Sequence, residues 1–235
     1  MRGKRYKKDV IEFQSKLGDN LSGLYSDLVS KTYEHGAYTA FNISDPKPRN
    51  IHKASVRDRV VHHLIYKTLY WYFDDRFIYD SYSCRKYKGT YRALDRFGYF
   101  AGKVSRNHTR TCYVLKCDIQ KFFASIDHII LYRILERHIE DVDIKWLIHK
   151  IVESFYGTRE GVGMPLGNLT SQLLVNIYMH EFDMYMKQEL LVKYYIRMAR
   201  NLEWYPTRET INSYRGLLGH GDTFKFKKSL GNILI

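Results

Sequence analysis

Scarcities narrow the possibilities first. The chain's 235 residues include only three cysteines, Cys84, Cys112 and Cys117. Their number is odd and no two form a CxxC pair. This argues against a disulfide framework or a zinc site, and reduced thiols in a cytosol are expected. No apolar run approaches the roughly 18 residues that a membrane-spanning helix needs. The basic start MRGKRYKKDV is not followed by the apolar stretch of a secretory leader. A membrane is thus not an expected partner. Repeats and low-complexity linkers are also missing. Acidic side chains are few, 25 against 38 lysines and arginines, which leaves a net charge of +13 and a pI near 9.5. A surplus of that size points to a polyanion, most often nucleic acid.

What is present suits a folded, nucleic-acid-handling domain. Hydrophobic residues make up 45% of the chain, enough for a real core. Aromatics reach 15%, with 21 tyrosines, rings that either fill a core or stack on bases. From Val10 to Tyr33 the apolar residues Val10, Phe13, Leu17, Leu21, Leu24 and Leu28 recur at helical spacing, which predicts one amphipathic helix. TAFNIS and NIHKAS flank DPKPR, the signature of a hairpin with a basic tip. Helices are expected over Arg57–Phe73, Gly89–Arg106, HIILYRILERHI and DIKWLIHKIVESFY. A long one is expected from NLTSQ onward, capped by Asn168 or Thr170. CYVLKCDI reads as a short buried strand, VKYYIRM as another, and a basic helical piece closes the chain. The order suggests an α+β fold, an antiparallel sheet backed by helices.

Three stretches carry candidate chemistry. YFDD, residues 72–75, spells an aromatic followed by paired aspartates, the form of a two-metal catalytic turn. In VLKCDIQKFFASIDH, a strand runs into Asp118, which could be a rigidly held metal ligand or a cap on the following turn. In GMPLGNLTSQ, Gly163, Pro165 and Gly167 force a tight turn into a helix N-terminus, a place that favours anions or a closely approaching base or sugar.

In this order the last two stretches resemble the reverse transcriptase family, DIQKFFASIDH its first catalytic motif and MPLGNLTSQ its template- and nucleotide-positioning motif. RNIHKASVRDRVVHHLI and SYSCRKYKGTYRAL resemble its bacterial fingers motifs, and INSYRGLLGHGDTFKFKKSL part of its thumb. The GNLTSQ form, with Leu166 where many members carry glutamine, is most similar to enzymes of diversity-generating retroelements; group II intron and retron enzymes are more distant. The resemblance implies a right-hand polymerase-like fold: N-terminal helix and fingers over 1–110, a palm over 111–198, and a thumb-like fragment over 199–235. It implies an RNA-directed DNA polymerase acting on an RNA template, a DNA primer and deoxynucleoside triphosphates, and it admits a retroelement accessory protein as a partner. Asp118 would bind two Mg²⁺ ions with the carbonyl of Ile119. Phe123 would be the gate against a ribonucleotide's 2′-OH. Arg49, Arg57 and Arg85 would face the triphosphate, where guanidinium geometry suits phosphate, although a solvated basic face explains each one singly. Gly167, Ser171 and Gln172 would line the base-pair pocket, Gln172 being equally readable as a helix-surface residue.

The resemblance also exposes a gap. The family's aspartate pair should follow VKYYIR on a hairpin turn, and YFDD lies upstream of the first motif, at the end of a predicted helix. After KYYIRM no such pair occurs; no aspartate stands between Asp183 and Asp222. RNLEWYPTRETINSY already resembles the approach to the thumb, so an internal deletion with its junction in Arg197–Arg200 is expected. Asp127 and Asp183 are the nearest substitutes, Asp127 better read as a helix cap. The palm would be incomplete, Mg²⁺ binding with it, and polymerisation impaired. Two alternatives remain: a non-catalytic basic RNA- or DNA-binding remnant, or a reading frame altered by assembly, decay or engineering.

Overall fold

The computed structural model describes residues 6–44, 48–157, 159–198 and 233–234. They form two compact units that are discontinuous in sequence: residues 1–75 with 121–178, and residues 76–120 with 179–235. The expected thumb-like stretch and closing helical piece lie almost wholly outside the described residues.

The first unit is mostly helical. The expected single helix at its start is two, α1 (Lys8–Ser15) and α2 (Leu17–Val29), broken at Lys16, whose backbone (φ −124, ψ 41) leaves the helical region. Of the residues that set the amphipathic pattern only Val10 and Leu24 are fully buried, while Leu17 and Leu21 face solvent. The stripe is too thinly covered to hold one straight helix against the core. The hairpin is as expected, β1 (Thr39–Ser44) antiparallel to β2 (Pro48–Lys53), with Thr39 opposite Lys53 and Ser44 opposite Pro48. Pro48 opens its strand, where a missing N–H costs least.

Helix α3 (Val56–Asp74) forms the unit's spine. Ser55 caps it: its Oγ accepts from the N–H of Asp58 at 3.1 Å, satisfying one of the donors a helix start leaves open. Val61, Ile65, Leu69 and Phe73 are buried at four-residue spacing. The YFDD stretch is this helix's end: Asp74 is its last residue and Asp75 its C-cap. Helices α5 (His128–Glu136) and α6 (Val142–Val152) follow, capped by Asp127 and Asp141. Helix α7 (Leu169–Met184) begins in this unit, with Leu173, Leu174 and Ile177 buried.

The second unit holds α4 (Thr90–Val104) and a three-stranded antiparallel sheet of very short strands, β3 (Lys116–Cys117), β4 (Ile196–Arg197) and β5 (Ile233–Leu234), in the order β3-β5-β4. Here two expectations are corrected. CYVLKCDI is neither a full strand nor buried: only two residues pair, Tyr113 is 91% exposed and Leu115 56% exposed. VKYYIRM likewise shrinks to the two residues of β4. Among the described residues the partner strand contributes two, Ile233 and Leu234, and these give the flanking apolar residues little to bury against. Around β4 the strand period still sorts side chains. Tyr194, Ile196 and Met198 pack with Tyr82, Ala93, Phe97 and Phe100, and Tyr195 packs with Met186, Ile78, Phe182 and Val192.

Candidate functional site

In the first unit the glycine-bearing loop before α7 is stitched from both sides. On one side Gly163 N donates to Ile126 O at 2.8 Å, and Met164 N to Phe123 O at 2.7 Å. On the other, His52 N donates to Leu166 O at 3.0 Å, and the Asn168 side-chain amide returns a bond to His52 O at 3.0 Å. Three stretches singled out in the sequence therefore meet here: the strand carrying Arg49, the turn carrying Phe123, and the loop carrying Gly167 that leads into α7. Two glycines make the approach possible. Gly163 (φ +113) has no room for a Cβ, which would fall 2.7 Å from Gly157 N. Gly167 (φ +101) would place one 2.7 Å from Ile51 Cγ2. Both also hold backbone conformations that suit glycine.

The start of α7 is anchored deeper. Thr170, offered as a cap, sits inside the helix instead, and its hydroxyl bonds the ring Nδ1 of His62 on α3. Ser171 is buried with a hydroxyl that finds no partner among the described residues. Gln172 is half-buried. Phe123 is half-buried beside Phe122, ring centroids 6.2 Å apart.

The arginines differ in their commitments. Arg49 is half-buried on β2. Arg57 is held by Asp27 at 2.5 Å and by the carbonyl of Glu34 at 3.2 Å. In the second unit, Arg85 donates to the carbonyls of Ile78 and Ser81 and lies over the ring of Phe77.

Asp118 and Ile119 immediately follow β3, and both are exposed. Among the described residues no group of three His, Cys, Asp or Glu side chains is placed to hold a metal ion. Asp183 is closed to such a role. It is fully buried, Arg197 Nε lies 2.8 Å from both its oxygens, and the Tyr195 hydroxyl donates to it at 2.7 Å. Burial, with the Asp183 carboxylate beside it, pushes the Tyr195 hydroxyl well above the ordinary phenol range. Asp127 spends its carboxylate on capping α5, accepting from Ile130 N at 3.1 Å. The described residues alone therefore do not fit a two-ion magnesium centre, which needs carboxylates converging on ions about 4 Å apart.

A model of the family "Reverse transcriptase (RNA-dependent DNA polymerase)" matches residues 43–198, about two thirds of the chain. The chain belongs to the reverse transcriptase family. Among curated relatives, protein YkfC of Escherichia coli K12 is 26% identical over 201 residues, which is 82% of this chain and 51% of that protein. The group II intron-encoded protein LtrA of Lactococcus lactis subsp. cremoris is 30% identical over 90 residues, 36% of this chain and 15% of LtrA. A 91 kDa protein in the cob intron of Schizosaccharomyces pombe is 26% identical over 180 residues, 70% of this chain and 21% of that protein. The chain spans about half or less of the length of these relatives. Among the described residues no helix is long and apolar enough to cross a membrane, and the three cysteines are free thiols.

Sequence reasoning missed the polar chemistry buried in the first unit. Tyr33 and Ser55 donate to the carboxylate of Asp58 at 2.8 and 2.6 Å, and Gly36 N does so at 3.2 Å. His35 Nε2 meets His62 Nε2 at 3.0 Å, and His35 Nδ1 lies 2.6 Å from Gly36 O. The carbonyl can only accept, so His35 carries its proton on Nδ1. With both rings neutral, His62 then donates from Nε2 and accepts from Thr170 on Nδ1. One signal was available: Asp58, His62, Ile65 and Leu69 share the buried spacing of α3, and a polar residue on that stripe must find a partner.

Proposed function

We propose that this reverse transcriptase domain is, by descent, an RNA-directed DNA polymerase whose nucleic-acid- and nucleotide-handling parts outlast its catalytic centre. The observation that carries the reading is the stitching of the loop at 163–168 to both β2 and the Phe123 turn. That arrangement puts the half-buried Arg49 strand, an aromatic, two obligatory glycines and a helix N-terminus in one neighbourhood, a suitable setting for a nucleoside triphosphate on a template. In this reading Gly167, Ser171 and Gln172 line the base-pair pocket, Phe123 is the sugar gate, and Arg49, Arg57 and Arg85 serve the triphosphate. Arg57 would first have to leave Asp27. Asp118, with the Ile119 carbonyl, is the remaining ligand for magnesium. Residues 1–110 form the N-terminal helix and fingers, 111–198 an incomplete palm, and 199–235 a thumb-like fragment of a right-hand architecture.

The family match stops at residue 198, where the second catalytic segment should begin, which supports a deletion at Arg197–Arg200. Impaired polymerisation follows, because electrostatic stabilisation by preorganised charge is usually the largest catalytic contribution. The test is Mg²⁺-dependent primer extension on an RNA template. The unrepaired chain is expected to show none. Inserting a relative's YxDD hairpin and adjoining palm after Arg197 should restore it, and Asp118→Ala in the repaired chain should abolish it. Robust extension by the unrepaired chain that depends on Asp118 would overturn the impairment. DNA sequence across codons 195–202 tests the deletion itself, and a flanking template repeat with a variable repeat would identify the retroelement as diversity-generating. The second reading, a non-catalytic RNA- or DNA-binding remnant, is favoured by one observation, the commitment of Asp183 to Arg197. Binding that does not discriminate a primer–template from either single strand would support it.

A further inference from the structure

The basic surplus is not spread evenly. Residues 76–120 carry ten lysines and arginines against three aspartates, so this short segment supplies a surplus of seven toward the chain's +13. The same segment is rich in tyrosine, and Tyr79, Tyr87, Tyr91 and Tyr99 are all exposed. The two kinds of side chain alternate in space. Lys88 Nζ lies 3.8 Å from the Tyr79 ring centroid, Arg96 Cζ lies 5.2 Å from Tyr79 and 5.3 Å from Tyr99, and Lys103 Nζ lies 5.5 Å from Tyr99.

Helical spacing explains the row. Arg92, Arg96, Tyr99 and Lys103 are separated by four, three and four residues, which puts them on one face of α4. Arg96 is pinned there by Asp80, Nε to Oδ1 at 2.8 Å. Asp95 is the only carboxylate on α4 and stands beside the row. Tyr79 is 69% exposed and Tyr99 54% exposed, so each ring keeps surface to offer although cations already touch it. A core-filling role is excluded for rings so exposed.

We propose that this cation–tyrosine row, α4 together with Tyr79, is a binding surface for single-stranded nucleic acid made of residues other than those of the loop and strand assembly described above. The inference rests on the nucleic-acid reading of the chain and adds a location and a mode to it. Stacking needs flat faces and tolerates any base, while cations between the rings track the phosphates; an alternating row supplies both. From Arg92 to Lys103 the helix rises about 16 Å, room for a few nucleotides and too little for a long duplex footprint. A purely structural role for the contacts would leave the exposed rings without consequence for binding.

The test uses the full chain with fluorescently labelled oligouridylate, oligothymidylate and a primer–template duplex at low salt. Tyr79→Ala/Tyr99→Ala is expected to weaken binding of both single strands by about tenfold or more, since stacking is worth about 1–3 kcal/mol per base. Duplex affinity should be unchanged, and Tyr79→Phe/Tyr99→Phe should bind like the parent. Photocrosslinking of 5-bromouridine oligonucleotide to the unmodified protein, which needs no variant to fold, should recover peptides within residues 79–103. Single-strand affinity that survives the alanine pair, or crosslinks that fall elsewhere, would overturn the proposal while leaving the family function standing. Binding of neither single strand nor duplex would sink both.

Discussion

The Asp58 carboxylate is buried and accepts from three donors: the hydroxyls of Tyr33 and Ser55 and the backbone N–H of Gly36. Burial alone would raise its pKa; the hydrogen bonds from Ser55 and Tyr33 outweigh it, and the carboxyl sits below its ordinary value. Asp58→Asn puts an amide N–H₂ where one carboxylate oxygen accepts these bonds, and should cost about 1–3 kcal/mol of stability, read by urea unfolding at neutral pH. His62 is the pH-sensitive member of the neighbourhood. Burial first, then His35, pushes it down to about 3. The folded state therefore stays unprotonated where the unfolded chain, with an ordinary histidine value near 6.5, takes up a proton. The associated stability is fully present above pH 6.5 and drains away as pH falls from there toward 3. Between pH 6.5 and 5 this amounts to about 2 kcal/mol, and His62→Gln, which cannot titrate, should flatten that part of the stability–pH curve. At Gly167 the expected effect is steric. Gly167→Ala meets Ile51 Cγ2 at 2.7 Å in a positive-φ conformation, and should cost about 1–3 kcal/mol. Adding Ile51→Ala should recover the steric part and leave the backbone strain, a double-mutant cycle measurable by thermal unfolding.

At the scale of elements, most helices and the β1–β2 hairpin were legible, and the extents of β3 and β4 were not. The four-residue recurrence that predicted α3, α5 and α6 needs only local sequence, and capping by Ser55 and Asp141 marks two of their starts. CYVLKCDI misled because apolar density shows what a strand could bury, and burial depends on how many residues a partner strand provides, two among the described residues. Strand β4 is held less by its ladder than by its ends' side chains. Arg197 binds Asp183, donates from Nη2 to Ser81 Oγ at 2.7 Å, and its backbone exchanges bonds with residues 80 and 82. Removing one partner strands a buried charge, so Arg197→Met should cost about 3–5 kcal/mol. Asp183→Leu added to it should recover much of that loss, which denaturant midpoints would read. Failure of the double variant to regain stability would show that Ser81 and Tyr195 depend on the pair.

For the whole molecule, the surplus of positive charge predicts how it binds. Affinity for a primer–template should fall steeply with salt, log K declining linearly with log salt concentration as counterions are released. Affinity that is flat in salt, measured by anisotropy, would mean that charge does not drive binding. By itself the amino-acid sequence determined the family, through motif order and composition, and the helices, through periodicity, because both are written in neighbouring residues. It also showed that YFDD closes a helix and that no aspartate pair follows VKYYIR. The tertiary structure alone decided which polar groups are consumed inside the fold. Asp183 is closed by Arg197, Asp58 gathers Tyr33 and Gly36, and His62 meets Thr170 across 108 positions. A buried carboxylate or imidazole takes its role from whichever donor the chain's folding brings beside it, and that donor has no fixed distance in sequence.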